Sequence, residues 1–392
     1  MSGQRTSLGT LLRHVHLRGS LSRAALAELM GVNRSTILTL AAKLAAAGLV
    51  RQERPAGATG VGRPSLVIHP DSERVYVLAF DVTADRLVAA RVALGGMIMD
   101  RRSAARPAGA NVDNTVDVLA EFGRELYSAA PAKSVCVGVG VSCSGTVSPG
   151  DGRVSYTPQV SRADQAFGTE LQRALDIGQP VAVGNDAHLG AMAEYKRGAG
   201  VGSPNLIYLH GDAGVRGGVL LDGKLLGGDG GFGCEIGHML VNPYGGRACR
   251  CGACGCLEAE TGPSALLAAA GRSGDRPGRD SVRAVVRAAG AGDVTAASAL
   301  SEMGGWLGIG VANLINLINP GVVIFGGILR DVYAAAAPQV AARITQHTMP
   351  VSRQRPRLLL SSLADDATLI GAAELGFAPL LADPLAQAKH KA

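Results

Sequence analysis

Acidic residues are almost missing from the first seventy positions, where only Glu28 and Glu53 face eight arginines and Lys43. The rest of the chain is balanced, with 29 basic and 30 acidic residues, so the formal charge of +6 belongs to one small N-terminal stretch. An imbalance concentrated in this way points to a polyanionic partner rather than to a solubilising surface. No run of about 18 apolar residues occurs, which excludes a membrane-spanning helix. The opening stretch MSGQRTSLGTLLRHVHLRG lacks an apolar segment followed by a small-residue cleavage site, which argues against secretion. A reducing cytoplasm is therefore expected, and there clustered cysteines favour a metal over disulfides. Aromatic residues are scarce at 4%, but hydrophobic residues still make up 47%, enough for real cores. The 54 glycines follow no period, which excludes collagen-like repeats and indicates tight turns and close backbone approaches. At 392 residues the chain suggests two or three domains.

In the basic segment, Leu8, Leu11, Leu12 and Val15 follow helical spacing. Ser22 is placed to cap a second helix, RAALAELM, with Leu26, Leu29 and Met30 expected to face inward. Gly31 supplies a turn, and Asn33 caps a third helix that runs to Gly48 and buries Ile37, Leu40 and Leu44. Its outward residues Arg34, Ser35, Thr36, Thr39 and Lys43 suit contacts with a DNA major groove. Two short β-like runs around a Gly/Pro-rich tip complete a winged helix-turn-helix over residues 1–70. Arg63, held between glycine and proline, either enters a narrow minor groove or sits in a plain linker.

From residue 75 the pattern is strands in threes followed by helices, and it restarts near residue 205. Two similar α/β lobes with a ligand cleft between them are expected, over 71–196 and 197–392. The stretch CRCGACGCLE places Cys249, Cys251, Cys254 and Cys256 within eight residues. Thiols one residue apart rarely bridge, and Cys251–Cys254 lacks the context of a thioredoxin-like redox pair. Short CxC and CxxC spacings do supply tetrahedral zinc ligands from one turn, and four thiolates alone would suffice.

GCEIGHM (233–239) followed by CRCGACGCLE resembles the ExGH and CxCGxxGCxE motifs of the ROK family. This group of repressors, open reading frames and sugar kinases is built on the actin/hexokinase-like fold. VGNDAHLGAMAEY and GVSCSGTVSPGDGRV resemble its Asn-Asp segment and its sugar loop. The resemblance implies a zinc held by His238, Cys249, Cys251 and Cys256, with Cys254 in reserve; closed by four protein ligands, it would be structural. It implies a sugar bound by Asn185, Asp186, Glu235, His238 and Glu258, with a backbone contribution from Gly145. Asp186 also matches the kinases' catalytic base. The phosphate-binding half departs from the kinase pattern. The kinases' DxGGT-like loop reads Asp81-Val82-Thr83-Ala84-Asp85 here, and their GTGxGxG loop reads Asp212-Ala213-Gly214-Val215-Arg216-Gly217-Gly218. Asp212 would repel phosphate, whereas Arg216 offers a cation to an anion.

The expectation is a cytoplasmic, sugar-responsive repressor with a structural zinc, acting on operator DNA as a homodimer or homotetramer, and not an enzyme. Its rivals are a sugar kinase that kept a DNA-binding domain, and a regulator governed by a protein partner.

Overall fold

The computed structural model describes residues 2–54, 66–107, 112–147, 154–156, 167–231, 233–352 and 356–389; Arg63 lies outside them. In the basic segment, α1 (Ser2–Arg18) buries Leu8, Leu11, Leu12 and Val15 as their spacing requires. A short strand β1 (Leu21–Ser22) leads into α2 (Arg23–Met30), whose first turn is capped by Ser22 Oγ accepting the Ala25 N–H at 3.1 Å. Gly31 closes α2 at φ 62°, a left-handed conformation that favours glycine. Asn33 then caps α3 (Arg34–Ala46), accepting the Thr36 N–H at 2.8 Å, and Ile37, Leu40 and Leu44 are buried. Strands β2 (Val50–Glu53) and β3 (Val67–Pro70) pair antiparallel, and β1 joins the other edge of β3. This is a winged helix-turn-helix. One inward residue is corrected: Leu29 is 39% exposed. The buried face of α2 is centred on Leu26 and Ala27 with Met30 beside them, which turns Leu29 outward by roughly a quarter turn.

The remainder holds the same sheet twice. The first is built from β4 (Val75–Val82), β5 (Arg86–Ala93) and β6 (Ile98–Ala105), then, after helix α4 (Val112–Ser128), β7 (Val135–Cys143). A small hairpin of β8 (Thr146–Val147) and β9 (Val154–Tyr156) follows, then α5 (Phe167–Leu175), β10 (Val181–Asn185) and helix α6 (Asp186–Arg197). The spatial order is β10-β7-β4-β5-β6, antiparallel within the β4–β5–β6 meander and parallel across β4–β7–β10. The second sheet repeats this with β11 (Leu206–Gly211), β12 (Val215–Leu221) and β13 (Lys224–Leu225). Helices α7 (Leu257–Thr261), α8 (Pro263–Ala269), α9 (Arg279–Gly290) and α10 (Val294–Ile318) follow, then β14 (Val322–Gly327), α11 (Ile328–His347) and β15 (Arg357–Leu360). Its order, β13-β12-β11-β14-β15, has the same directions at every pairing. Burial on both faces explains the unbroken apolar runs of β4, β7, β11 and β14.

The last helices of the two halves trade places. Helix α6 ends the first half but packs on β11 and β12, whereas α12 (Ala367–Ala382) ends the second and packs on β4 and β7. A final short helix, α13 (Pro384–Lys389), follows it. The two long helices also pack on each other so closely that a Cβ on Gly371 would lie 2.3 Å from the Leu189 carbonyl oxygen. By packing, then, the end of the chain crosses back over the boundary placed at residues 196 and 197. Helix α1 rests on α12, so the core of the N-terminal unit continues into that of the first sheet. No helix among the described residues is long and apolar enough to cross a membrane.

Candidate functional site

Asn185, Asp186 and Gly145 meet at the start of α6. Asn185 caps this helix by accepting the His188 N–H at 3.1 Å, and its Nδ2 donates to the Gly145 carbonyl at 2.8 Å. Gly145 sits at φ 129°, where a side chain would be strained, so the carbonyl is presented by a turn that needs glycine. Asp186 is buried and fully engaged. Its Oδ1 accepts the Ala187 N–H at 2.7 Å and Arg216 Nε at 2.8 Å; its Oδ2 accepts Ser144 Oγ at 2.9 Å and Arg216 Nη2 at 2.6 Å. Burial alone would raise the Asp186 pKa, but the Arg216 charge outweighs it, with smaller help from His210 and Ser144, and holds the carboxyl below its ordinary value. Burial likewise opposes charge on Arg216, and the Asp186, Asp212 and Glu258 carboxylates overcome that, keeping it firmly protonated. His210, at the end of β11, is depressed chiefly by burial, with the Asp186 carboxylate pulling the other way. Each Asp186 oxygen thus already accepts at least two hydrogen bonds.

Asp212, on the turn between β11 and β12, accepts the Ala84 N–H from the opposite half at 3.1 Å and lies 3.9 Å from Arg216 Nη2. The two turns that resemble the kinases' phosphate loops are therefore bridged by a carboxylate. Asp212 Oδ2 already accepts an amide of the facing turn. Arg216 is likewise spent, on Asp186, rather than open to an anion. Glu258, at the start of α7, accepts the Val215 N–H through Oε2 at 3.0 Å. Gly214 makes this approach possible, since a Cβ there would lie 1.9 Å from that oxygen. Gly237 packs against the Val215 carbonyl, which brings the 235–238 turn beside the same strand. Glu235 caps that turn by position only and is exposed at the rim. Glu258 and Cys249 line one cavity of about 210 Å³ together with Ala213 and Gly262.

Between β13 and α7, ligand atoms of His238, Cys249, Cys251 and Cys256 lie within 4.8 Å of one another. Cys251 Sγ and Cys256 Sγ are 3.7 Å apart, and Cys249 Sγ is 3.5 Å from His238 Nδ1. A tetrahedron with metal–sulfur bonds of about 2.3 Å and a metal–nitrogen bond of about 2.0 Å has edges of roughly 3.8 and 3.5 Å, so these residues fit a metal. Cys254 lies outside the group; its backbone pairs with Ala248 in the hairpin that brings Cys249 near Cys256. With Nδ1 turned to the sulfurs, the His238 Nε2 is on the opposite edge of the ring.

On α3, Arg34, Ser35 and Thr39 are exposed, and Thr36 and Lys43 are half-buried. The Ser35 and Thr36 hydroxyls donate to Asn33 Oδ1, at 2.7 and 2.8 Å, and Thr39 Oγ1 donates to the Ser35 carbonyl at 3.1 Å. These hydroxyls keep their acceptor lone pairs, while Arg34 and Lys43 supply outward donors. Leu38, 47% exposed between them, was not read from sequence; its signal was an apolar residue off the buried stripe of an otherwise regular helix. Ser144 was missed because nothing local marks it, and its partner Asp186 lies 42 positions away.

Similarity to known proteins agrees with this architecture. The ROK family model matches residues 77–377. The xylose repressor of Bacillus spizizenii is 25% identical over 363 residues, 92% of each chain. The glucokinase of Halalkalibacterium halodurans is 27% identical over 76% of this chain and 94% of its own. The crystal structure of a ROK family transcriptional regulator, a homologue of the E. coli MLC protein, superposes with a TM-score of 0.82 over the whole of both chains at 23% identity. With its repeated sheet, its crossed helices, its Cys/His cluster and a family match over most of its length, this chain belongs to the ROK family.

Proposed function

We propose that this protein is a sugar-responsive transcriptional repressor in which the winged helix-turn-helix binds operator DNA and the ROK domain binds the effector sugar without phosphorylating it. The observation that carries the non-enzymatic part is the Asp186–Arg216 pair. A carboxylate saturated by a guanidinium at 2.6 and 2.8 Å cannot accept a proton from a sugar hydroxyl. Asp212, bonded to Ala84, fills the phosphate side in the same manner. The basic N-terminal unit and the exposed Arg34 support the DNA-binding part, with two copies in a dimer reading the two halves of a pseudo-palindrome. The Cys/His cluster would hold a zinc closed by four protein ligands, which leaves no open position for water. Its role is to fix the turn bearing His238 against the start of α7, where Glu258 is placed.

Two measurements on the full chain test this. A coupled ATP assay over a panel headed by D-xylose and D-glucose is expected to show no turnover above that of an Asp186→Ala variant; sustained Asp186-dependent turnover overturns the reading. Duplexes selected by the protein from a random pool are expected to contain an inverted repeat and to lose affinity for Arg34→Ala and Lys43→Ala. A failure to enrich any duplex removes the DNA-binding half of the proposal.

A further inference from the structure

The C-terminal end of α6, about 18 Å from the cleft at 1.5 Å per residue over twelve residues, enters a buried cluster of charges. Lys196 Nζ donates to Glu374 Oε2 at 3.0 Å, and Arg197 Nε donates to Glu374 Oε1 at 2.8 Å. Arg197 also donates through Nη1 to the Gly95 carbonyl at 2.8 Å and through Nη2 to the His16 carbonyl at 3.2 Å. His16, on α1, has no exposed surface. Its Nδ1 accepts the Gly95 N–H at 3.0 Å, and its Nε2 lies 2.9 Å from Glu374 Oε1 and 2.7 Å from Arg197 Nη2. Four elements thus meet at one carboxylate and one guanidinium: α1 of the DNA-binding unit, the β5–β6 turn, α6 and α12. Gly96, at φ 91°, makes room, since a Cβ there would lie 2.6 Å from the Arg197 guanidinium carbon.

We propose that α6 is the arm that makes the state of the cleft and the seating of the DNA-binding unit one variable, with Arg197 as the positioning residue at its far end. At the near end the arm carries Asn185 and Asp186, tied to Gly145, Ser144 and Arg216. Along its length it is gripped on both sides. A Cβ on Gly218 of β12 would lie 2.5 Å from the Ala187 carbonyl, and one on Gly371 of α12 would lie 2.3 Å from that of Leu189. A helix held at this distance shifts or turns as a body rather than bending. At the far end, moving Arg197 alone would leave the buried Glu374 and two part-buried carbonyls short of partners. Such clusters hold one arrangement or change to another as a set. A ligand that rearranges the bonds of Asp186 therefore acts on α1 through two ends of one twelve-residue helix. This goes beyond a change in lobe angle, and it rests on the reading of the cleft as the effector pocket.

Hydrogen exchange on the full chain tests it without any sugar, so its failure is distinguishable from failure of the sugar reading. Asp186→Asn and Arg216→Gly disturb the near end; each is compared with and without Arg197→Met. Both pocket variants are expected to change the exchange of the amides of residues 8–18 by about five-fold or more, the lower end of ordinary site-to-site coupling. On the Arg197→Met background the same substitutions are expected to leave those amides at the rates set by Arg197→Met alone. Should that variant expose α1 outright, the comparison is made on Arg197→Lys, which keeps Glu374 neutralised but gives up the carbonyl bonds. Unchanged exchange in α1 for both pocket variants overturns the proposal, as does an equal response with Arg197 replaced.

Discussion

The two halves of the ROK domain share a strand order, strand directions and a crossed final helix, yet their equivalent turns hold opposite chemistry. The β4–β5 turn offers a backbone amide, that of Ala84. The β11–β12 turn brings Asp212 and, at the start of its strand, Arg216, and just after it Val215 receives Glu258. Among the described residues, only the second half carries a long excursion, between β13 and α7, that gathers a histidine and three cysteines. Shared topology decides that the turns face each other; side chains decide whether the gap receives a phosphate or is closed by the protein itself. In this chain Asp212 reaches across it to the Ala84 N–H, and Asp212 belongs to the half that also holds the Cys/His cluster.

Removing the metal site strikes at that difference most strongly. Free energies of zinc binding at structural sites are on the order of 10 kcal/mol, so Cys251→Ser is expected to lose bound zinc and to loosen the 235–258 segment. Metal analysis with hydrogen exchange should show the loss confined to the second half, while β4, β5 and β7 stay protected. Cys254→Ser should keep full zinc; loss of zinc there would put Cys254 among the ligands.

The crossed helices come next. Burial alone would raise the pKa of Glu374, but the His16 hydrogen bond and the nearby Lys196 and Arg197 hold it well below the ordinary carboxylate value. A depressed acid contributes stability that is present above its unfolded pKa and lost as pH falls through the folded one. Replacing one member of a buried charge cluster typically costs about 3–5 kcal/mol, so Glu374→Gln should lower the unfolding free energy at pH 7, read by denaturant titration, by that amount. The gap should narrow as pH drops below the ordinary carboxylate range, since the wild type then gives up the same contribution.

What was legible in the sequence follows from how local each signal is. The strands and helices of both halves showed in apolar runs and helical spacing, and the Cys/His cluster in cysteines two and five positions apart with a histidine upstream. Contacts set by topology left no local trace. Arg216 reaches Asp186 across 30 positions, Asp212 reaches Ala84 across 128, and His16 reaches Glu374 across 358. An arginine inside a run of glycines was visible; that it would be neutralised by the very carboxylate matched to a catalytic base was not. Leu29 was misplaced because α2, short and apolar at nearly every position, has too few polar residues to fix the centre of its buried face.

Arg216→Gly tests whether that neutralisation keeps sugar out. Without the guanidinium, Asp186 is a buried carboxylate short of its charge partner, and the sugar-free protein should lose about 3 kcal/mol. A sugar hydroxyl that donates to Asp186 restores part of this. The variant should therefore show a larger thermal shift than wild type with the same effector, and a binding gain of about tenfold corresponds to about 1.4 kcal/mol. It should still show no ATP turnover, because Asp212 remains bonded to Ala84; turnover would mean that Arg216 alone separates this chain from a kinase.

The smallest effect concerns the acid that the first half keeps to itself. Asp81, at the end of β4, is raised from 3.8 to about 6, first by burial and then by the Asp186 and Asp212 carboxylates, with the Ser142 and Thr368 hydroxyls offsetting part of the shift. A carboxyl whose folded pKa lies above its unfolded one costs nothing below the unfolded value, and its penalty is complete above the folded one. Stability should therefore fall as pH rises through the window from about 4 to about 6. Asp81→Asn removes the ionisation and with it the penalty, so its advantage over wild type should grow between pH 5 and pH 8 by on the order of 1 kcal/mol. Equilibrium unfolding at the two pH values reads this directly. An advantage that is flat with pH would show that Asp81 is already ionised at pH 5. In that case the first half would carry a second fixed carboxylate beside Asp186, and the contrast between the two halves would be one of position rather than of charge.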